Sequence, residues 1–277
     1  MAAHGSPESR ASVLRSLVLL ERLLLDLSRD AESVLSASPA ASLDMELLHC
    51  VRRTGGISPS QLVEQVGRPR SSVARGLARL LQEGLLVRAR CTQDARQAEL
   101  RLSPAGKRSL KTFVAASTDT ITRSETNVEE VLHLLGRDPQ WTAERSRVPD
   151  VLAALDQLTE ARSAFAHDLR PALRVFDLDE AVDRGGLLVV AEGRQARPTH
   201  MAHELGLTPP GVTSLLDRLE SKGLVERDLG IASDGRAVLV RLTPRGRRAV
   251  RAYISTFGHH QANLLDAIEK IPAISRL

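Results

Sequence analysis

PPGVTSLLDRLESKGLVERDL, at residues 209–229, is the stretch of sequence that decides the fold. Its prolines suit the first turn of a helix, where the missing amide hydrogen costs nothing, and Thr208 before them is a good N-cap. Gly223 suits the left-handed position that ends a helix. The strand-like end of the segment and the alternating residues 237–242 flank a turn-prone Asp-Gly pair at Asp234. The pattern predicts a helix followed by a β-hairpin.

The same pattern occurs a second time in the chain. Residues 62–90 align with residues 201–229 at an offset of 139, with eight identities in 29 positions. After one inserted residue, residues 94–108 align with residues 234–248 at an offset of 140, with seven identities in 15. Self-similarity of this kind indicates two copies of one structural unit.

The copies define the expected domains. We expect copy one at residues 10–135 and copy two at residues 150–277, separated by a linker at residues 136–149 that contains two prolines and no apolar period. The apolar spacing predicts that each copy opens with a long amphipathic helix, continues with two short helices, and closes with another long helix behind the hairpin. In copy one that last helix is predicted to run to Leu135.

The order helix, short turn, helix and two-stranded hairpin is that of a winged helix-turn-helix. Pro69 lies in the first predicted turn of the second of these helices in copy one, as the prolines at 209 and 210 do in copy two. A helix of this kind fits the major groove of DNA, and the hairpin reaches the neighbouring backbone or minor groove. The predicted fold is mainly α with small β-hairpin wings, two tandem winged helices forming a pseudo-dimer in one chain.

Composition limits the class of protein further. Aromatic residues make up 2 % of the chain against 42 % hydrophobic residues, so the core is aliphatic and a nucleic-acid surface built on stacked aromatic rings is excluded. The richest apolar stretch, residues 14–27, is interrupted by charges and is too short to span a membrane. The first ten residues lack the apolar core of a signal peptide, which predicts a cytoplasmic location.

Both copies resemble the MarR family of bacterial transcriptional regulators. Copy two carries the family's pattern in VTSLLDRLESKGLVERD from Val212 and SDGRAVLVRLTPRG from Ser233, and copy one carries a looser form in VARGLARLLQEGLLVR from Val73 and QDARQAELRLSPAG from Gln93. The resemblance implies DNA binding, and family members are homodimers whose first and last helices intertwine. Because both units occur in one chain, we expect a monomer that acts as a pseudo-dimer on double-stranded DNA.

The resemblance also assigns roles in the wing and in a ligand cleft. It implies that Arg96 and Arg236 enter the minor groove and that Asp94 and Asp234 orient them. It further implies a repressor relieved by a small-molecule effector between the helical base and the winged lobe. No metal or cofactor is implied.

The recognition helices supply the remaining candidate contacts. At 100° per residue, their polar residues point largely away from the apolar face. Arg75 is the best candidate for a base contact, because arginine paired with guanine is the commonest specific contact, and Thr213 and Ser214 are candidates for a base or a phosphate. Arg79 and Arg218, shared by both copies, are expected to hold phosphate or to brace the wing. The DNA-binding set is Arg70, Ser71, Arg75, Arg79, Arg96, Thr213, Ser214, Arg218 and Arg236.

The two recognition regions differ in charge. Residues 68–90 contain six arginines and one glutamate, which gives +5, whereas residues 207–229 contain three cations and four acids, which gives −1. Phosphate neutralisation supplies most of the sequence-independent affinity for DNA. Copy one is therefore expected to contribute more of it.

Three other interpretations stay open at this stage. The long helices alone are compatible with ordinary bundle packing. The acidic balance of copy two is compatible with a protein-interaction scaffold or antirepressor in which one or both units no longer bind DNA. An enzyme is disfavoured, because the sequence contains no phosphate loop, metal-ligand cluster or nucleophile-base motif. Structural or solvated roles are favoured over metal or redox sensing for His200, His203, His259, His260, Cys50 and Cys91.

Overall fold

The structure is a computed structural model that describes residues 7–35, 38, 40–66, 68–90, 98–137, 151–193, 195–229 and 238–269. The helices are α1 Pro7–Val34, α2 Ala41–Thr54, α3 Pro59–Val66, α4 Arg70–Gln82, α5 Pro104–Arg123, α6 Glu125–Leu134, α7 Val151–Arg174, α8 Ala181–Glu192, α9 Pro198–Leu205, α10 Pro209–Ser221 and α11 Pro244–Ile268. The strands are β1 Leu86–Arg90, β2 Ala98–Leu102, β3 Gln195–Ala196, β4 Val225–Leu229 and β5 Val238–Leu242. None of the described helices has the length and apolar character that a membrane span requires.

The chain divides into two compact units that are not contiguous in sequence. The first lobe comprises the described residues within Asp26–Arg123 and Ala143–His167, and the second lobe comprises those within Met1–Leu25, Ser124–Thr142 and Asp168–Glu269. The first lobe therefore contains the winged helix of copy one together with the first part of α7. The second lobe contains the winged helix of copy two together with the first part of α1 and the whole of α6.

Each lobe contains the predicted hairpin and one further pairing. In the first lobe β1 and β2 are antiparallel with Leu86 opposite Leu102, and in the second β4 and β5 are antiparallel with Val225 opposite Leu242. A short third strand, β3, pairs with β5, and a single bridge at Ile57 takes its place in the first lobe. Two residues are too few to produce an alternating pattern, so the sequence did not predict this third strand.

A shared contact joins each recognition helix to the last long helix. In the first lobe the Ser103 hydroxyl donates to the Gly84 carbonyl at 2.6 Å and accepts from the Gly106 amide at 3.0 Å. A Cβ at Gly106 would lie 2.2 Å from the Leu85 carbonyl oxygen, and the equivalent glycine of the second lobe is as crowded. The Pro-x-Gly motif therefore allows the close approach of two backbones, for which only glycine has room.

The predicted helix limits are confirmed in part. Thr208 caps α10, its side chain accepting from the Gly211 amide at 3.3 Å. Pro69 lies at the N-cap of α4 rather than inside its first turn. The single last helix predicted for copy one is wrong, because it is interrupted at Ser124 between α5 and α6. The sequence there, Thr-Arg-Ser-Glu-Thr-Asn from Thr122, is rich in poor helix formers, whereas α11 of copy two continues unbroken.

Candidate nucleic-acid interface

Helix α4 separates into a buried face and an exposed polar face. Val73 and Leu80 are fully buried in the apolar core of the first lobe. On the opposite side, the exposed residues are Arg70, Ser71, Ala74, Arg75, Ala78 and Gln82. No described residue pairs with the guanidinium groups of Arg70 or Arg75. The basic candidates of copy one are therefore displayed together on one surface.

Arg79 takes a different position from Arg75. Its Nε lies 2.9 Å from Asp44 Oδ2 and its Nη2 lies 2.8 Å from Asp44 Oδ1, a two-point contact with a carboxylate on α2 that is fully buried. The hydrogen bond that the Arg79 guanidinium donates to Asp44 raises the pKa of Arg79. Ser38 donates a further hydrogen bond to the same carboxylate at 2.5 Å. Arg79 thus anchors α4 to α2 inside the first lobe.

The second lobe repeats this anchor at matched positions. Arg218 Nη2 on α10 lies 2.7 Å from Oδ1 of Asp183 on α8, and Asp183 is fully buried. Lys222 Nζ adds a contact with Asp183 Oδ2 at 2.6 Å. Both the aspartate and the arginine lie 139 residues after their counterparts in copy one. The anchor is therefore a property of the repeated unit.

The sequence interpretation did not find the two buried aspartates. It placed Arg79 and Arg218 largely away from the apolar face by helix periodicity and expected them to hold phosphate or to brace the wing. Arg218 is exposed there, and each side chain also pairs with an aspartate 35 residues earlier in the chain. A signal was present, because Asp44 and Asp183 are acids at matched positions in the two copies. In each copy the arginine and the aspartate that both copies share form an ion pair with each other.

The outward face of α10 presents hydroxyls where α4 presents Arg75. Thr213 and Ser214 are both exposed, and the Thr213 hydroxyl donates to the Pro209 carbonyl at 3.2 Å. Ser214 lies 139 residues after Arg75 and so occupies the equivalent position. The two recognition helices therefore present different chemistry at the same place.

The arginine on the first strand of each hairpin shows a second difference. Arg88 on β1 is exposed and has no partner among the described residues. Its counterpart Arg227 on β4 contacts Asp217 Oδ1 at 2.5 Å and Glu220 Oε2 at 3.6 Å, both on α10. Copy one has Ala78 and Leu81 at the positions of these two acids. The second lobe thus neutralises a cation that the first lobe leaves exposed.

Some predicted residues lie outside the described residues. These are Arg96, Arg236, Asp94 and Asp234 of the two wings, and also Cys91. The strands that flank these segments in sequence are described, and they pair antiparallel, β1 with β2 and β4 with β5.

Two of the four candidate histidines and the buried cysteine have ordinary partners. His260 Nε2 lies 2.9 Å from Asp168 Oδ2, and His203 Nδ1 lies 3.4 Å from Glu204 Oε1. The Cys50 thiol is buried and donates to Gln65 Oε1 at 3.1 Å. Within the described ranges, no three His, Cys, Asp or Glu side chains gather as a metal site.

One segment of the chain matches a known family. The model of the MarR family matches residues 42–98, which include all of α2 but its first residue and the whole of α3, α4 and β1. Among solved structures, a MarR family transcriptional regulator from Silicibacter pomeroyi is 21 % identical with a TM-score of 0.29, over 40 % of this chain and 70 % of that one. A transcriptional regulator from Thermotoga maritima is 21 % identical with a TM-score of 0.30, over 52 % of this chain and 94 % of that one. No curated protein sequence matches the chain.

Proposed function

We propose that this protein is a DNA-binding transcriptional regulator whose two winged helices read two half-sites from a single chain. The observation that carries the proposal is the outward face of α4, where Arg70, Ser71 and Arg75 are exposed while Arg79 is held inside by buried Asp44. A helix fixed in this way presents its polar residues in a set orientation, as recognition in the major groove requires. The family match over residues 42–98 covers this helix.

The residues of the interface take distinct roles. Arg75 reads a guanine, Arg70 and Ser71 hold phosphate, and Thr213 and Ser214 contact the second half-site through their hydroxyls. Arg79 and Arg218 position the recognition helices through their ion pairs with buried Asp44 and Asp183 and do not touch DNA. In the wings, Arg96 and Arg236 enter the minor groove with Asp94 and Asp234 beside them, a role that rests on the family resemblance.

The single-chain pseudo-dimer is supported by the repetition of contacts. The Asp-Arg anchor, the hydroxyl-glycine contact and the third-strand bridge all recur at offsets of 139 or 140. Each lobe also contains residues from both sequence copies. Repressor activity and its relief by a small-molecule effector complete the proposal and rest on the resemblance.

One chain is expected to occupy one operator of about 20 base pairs, because two half-sites about one helical turn apart match two winged lobes. Sedimentation of the complex at saturation measures the number of chains on a duplex from the protein's own upstream region. Two chains on one site would show that the lobes of one chain do not act as a pair. A duplex of the same length and scrambled sequence is the control.

A second candidate function is favoured by the ion pairs of Arg227. Because Asp217 and Glu220 neutralise this arginine, the second lobe displays less positive charge, as expected of a lobe that binds protein instead of DNA. A salt-dependent mobility shift separates the two candidates. A DNA regulator loses affinity steeply as salt rises, whereas a scaffold shows no shift on the upstream DNA at low salt.

Asp217→Ala is expected to strengthen DNA binding, because alanine is the residue of copy one at this position and the change removes the nearer of the two carboxylates that hold Arg227. One additional phosphate contact steepens the plot of log affinity against log salt by about 0.9. Mobility shifts at four salt concentrations measure the slope. Ser221→Ala on the same exposed face is the matched control, and an unchanged slope in Asp217→Ala would show that Arg227 does not reach the DNA.

A further inference from the structure

Two buried polar clusters lie where a long helix packs on each lobe, and they occupy matched positions. Met45, Glu46 and Phe113 of the first lobe correspond to Arg184, Gly185 and Tyr253 of the second lobe, at offsets of 139, 139 and 140. At these three positions the first lobe has one carboxylate, that of Glu46, whereas the second lobe has the guanidinium of Arg184 and the phenol of Tyr253. The two lobes therefore carry opposite charges at the same place in the fold.

In the second lobe the carboxylate comes from the first part of α1. Glu21 is 1 % exposed, and its Oε1 accepts from Arg184 Nε at 3.1 Å and from the Tyr253 hydroxyl at 2.5 Å. Burial alone lowers the pKa of Arg184, but Glu21 outweighs it and the pKa is raised. Burial, together with Glu21, raises the pKa of Tyr253 well above its usual value. This cluster is a buried carboxylate held by two groups of the lobe.

In the first lobe the carboxylate belongs to the lobe itself. Glu46 on α2 is 5 % exposed and accepts from Arg162 Nη2 at 3.1 Å and from Ser163 Oγ at 2.5 Å, both in the first part of α7. Arg68, just before α4, adds a contact at 3.1 Å. Burial favours a raised pKa for Glu46, yet the nearby arginines outweigh it and the pKa is lowered.

We propose that these clusters determine which long helix packs on which lobe, so that the first part of α1 is accepted only by the second lobe and the first part of α7 only by the first lobe. The inference rests on the proposed arrangement of two lobes in one chain. Each interface pairs opposite charges, but the helix is acidic in one and basic in the other. Exchanging the helices brings like charges together in both.

The cost of the wrong pairing follows from the positions of the residues. A Cβ on Gly185 would lie 3.9 Å from the Cβ of Glu21, so the position that Glu46 occupies in the first lobe adjoins Glu21 in the second. Packing of α1 on the first lobe would therefore set Glu21 against Glu46. Met45 and Phe113 offer neither a cation nor a hydroxyl there, and the two carboxylates would have to share Arg68, which already contacts Glu46. A buried carboxylate without partners is strongly disfavoured, and like charges across an interface exclude wrong partners.

The consequence is control over assembly. Two chains that paired copy one with copy one would place an acidic helix on an acidic lobe, and pairing copy two with copy two would place Arg162 near Arg184. Charge patterns that repel the wrong partner are a common source of specificity between similar interfaces. The chain therefore pairs its two unlike copies and disfavours dimers in which like copies exchange helices.

A double charge reversal tests this in the full-length chain. Glu21→Arg with Arg184→Glu keeps an ion pair in the second lobe but makes both long helices basic and both lobes acidic, so partner choice is removed. Each single reversal is expected to lower the urea midpoint, and the double reversal to recover most of that loss. After unfolding and refolding at high concentration, the double variant is expected to show a dimer-to-monomer ratio at least about tenfold above wild type, measured by light scattering and by energy transfer between differently labelled chains.

Several results of this experiment would overturn the proposal. A recovered urea midpoint with an unchanged dimer-to-monomer ratio would overturn the proposal, because the ion pair would then stabilise the lobe without selecting a helix. A double variant that is no more stable than the single variants would also overturn it. So would a wild-type chain that already refolds as an exchanged dimer. If the double reversal does not fold, a second pair of variants is used. Arg184→Met, which installs the residue of the first lobe, is expected to lower the urea midpoint, and adding Glu21→Met is expected to restore it. A midpoint that is not restored would overturn the proposal. No step involves DNA, so the result is independent of DNA binding.

Discussion

Arg79→Ala is expected to lower the free energy of unfolding by about 3–5 kcal/mol, because it leaves the carboxylate of Asp44 buried without its cation. Asp44 is fully buried, and both of its oxygens accept from Arg79. Ser38, the other donor to this carboxylate, is neutral and does not replace the lost charge. Urea denaturation followed by circular dichroism measures the change.

The controls for Arg79→Ala lie on the same helix and on its partner. Arg75→Ala removes an exposed guanidinium from α4 and is expected to change the free energy of unfolding by no more than about 0.5 kcal/mol. The double variant Asp44→Ala with Arg79→Ala removes both charges and is expected to recover part of the loss, since the penalty arises from the unpaired charge. Equal stabilities of the Arg79→Ala and Arg75→Ala variants would refute the anchor.

Arg75→Ala is expected to weaken DNA binding by about 1–3 kcal/mol and to relax base preference in one half-site only. The physical reason is the difference between the copies, since Ser214 occupies the matching position in the second lobe and offers one hydroxyl in place of a guanidinium fork. Footprinting on the wild-type operator measures protection in each half separately.

Two variants sharpen this prediction. Arg75→Lys keeps the charge but not the two-point geometry, so it is expected to retain most of the salt dependence while losing base preference. Ser214→Ala is the matched control and is expected to affect only the opposite half-site. Equal loss of protection in both halves of the operator for Arg75→Ala, or no loss, would contradict an asymmetric reading of the operator.

Much of the local structure was predictable because its causes are local. Proline, threonine and glycine at the ends of α10 act within a few residues, so its limits follow from backbone geometry and capping alone. The β-hairpins follow from alternation and turn residues for the same reason. The break at Ser124 was missed because apolar periodicity continues across it, while helix propensity does not.

The sequence by itself determined the winged-helix order of elements, the internal repeat and the exposed basic face of α4, because periodicity, caps and charge are written in consecutive residues. Only the tertiary structure decided that Arg79 and Arg218 pair with buried aspartates, that Asp217 forms an ion pair with Arg227, and that Glu21 and Glu46 are buried with opposite kinds of partner. These outcomes depend on which side chains meet across elements far apart in the chain. The free energy of burying a charged side chain depends on the partners that surround it, because a buried carboxylate that loses its cation is strongly destabilising.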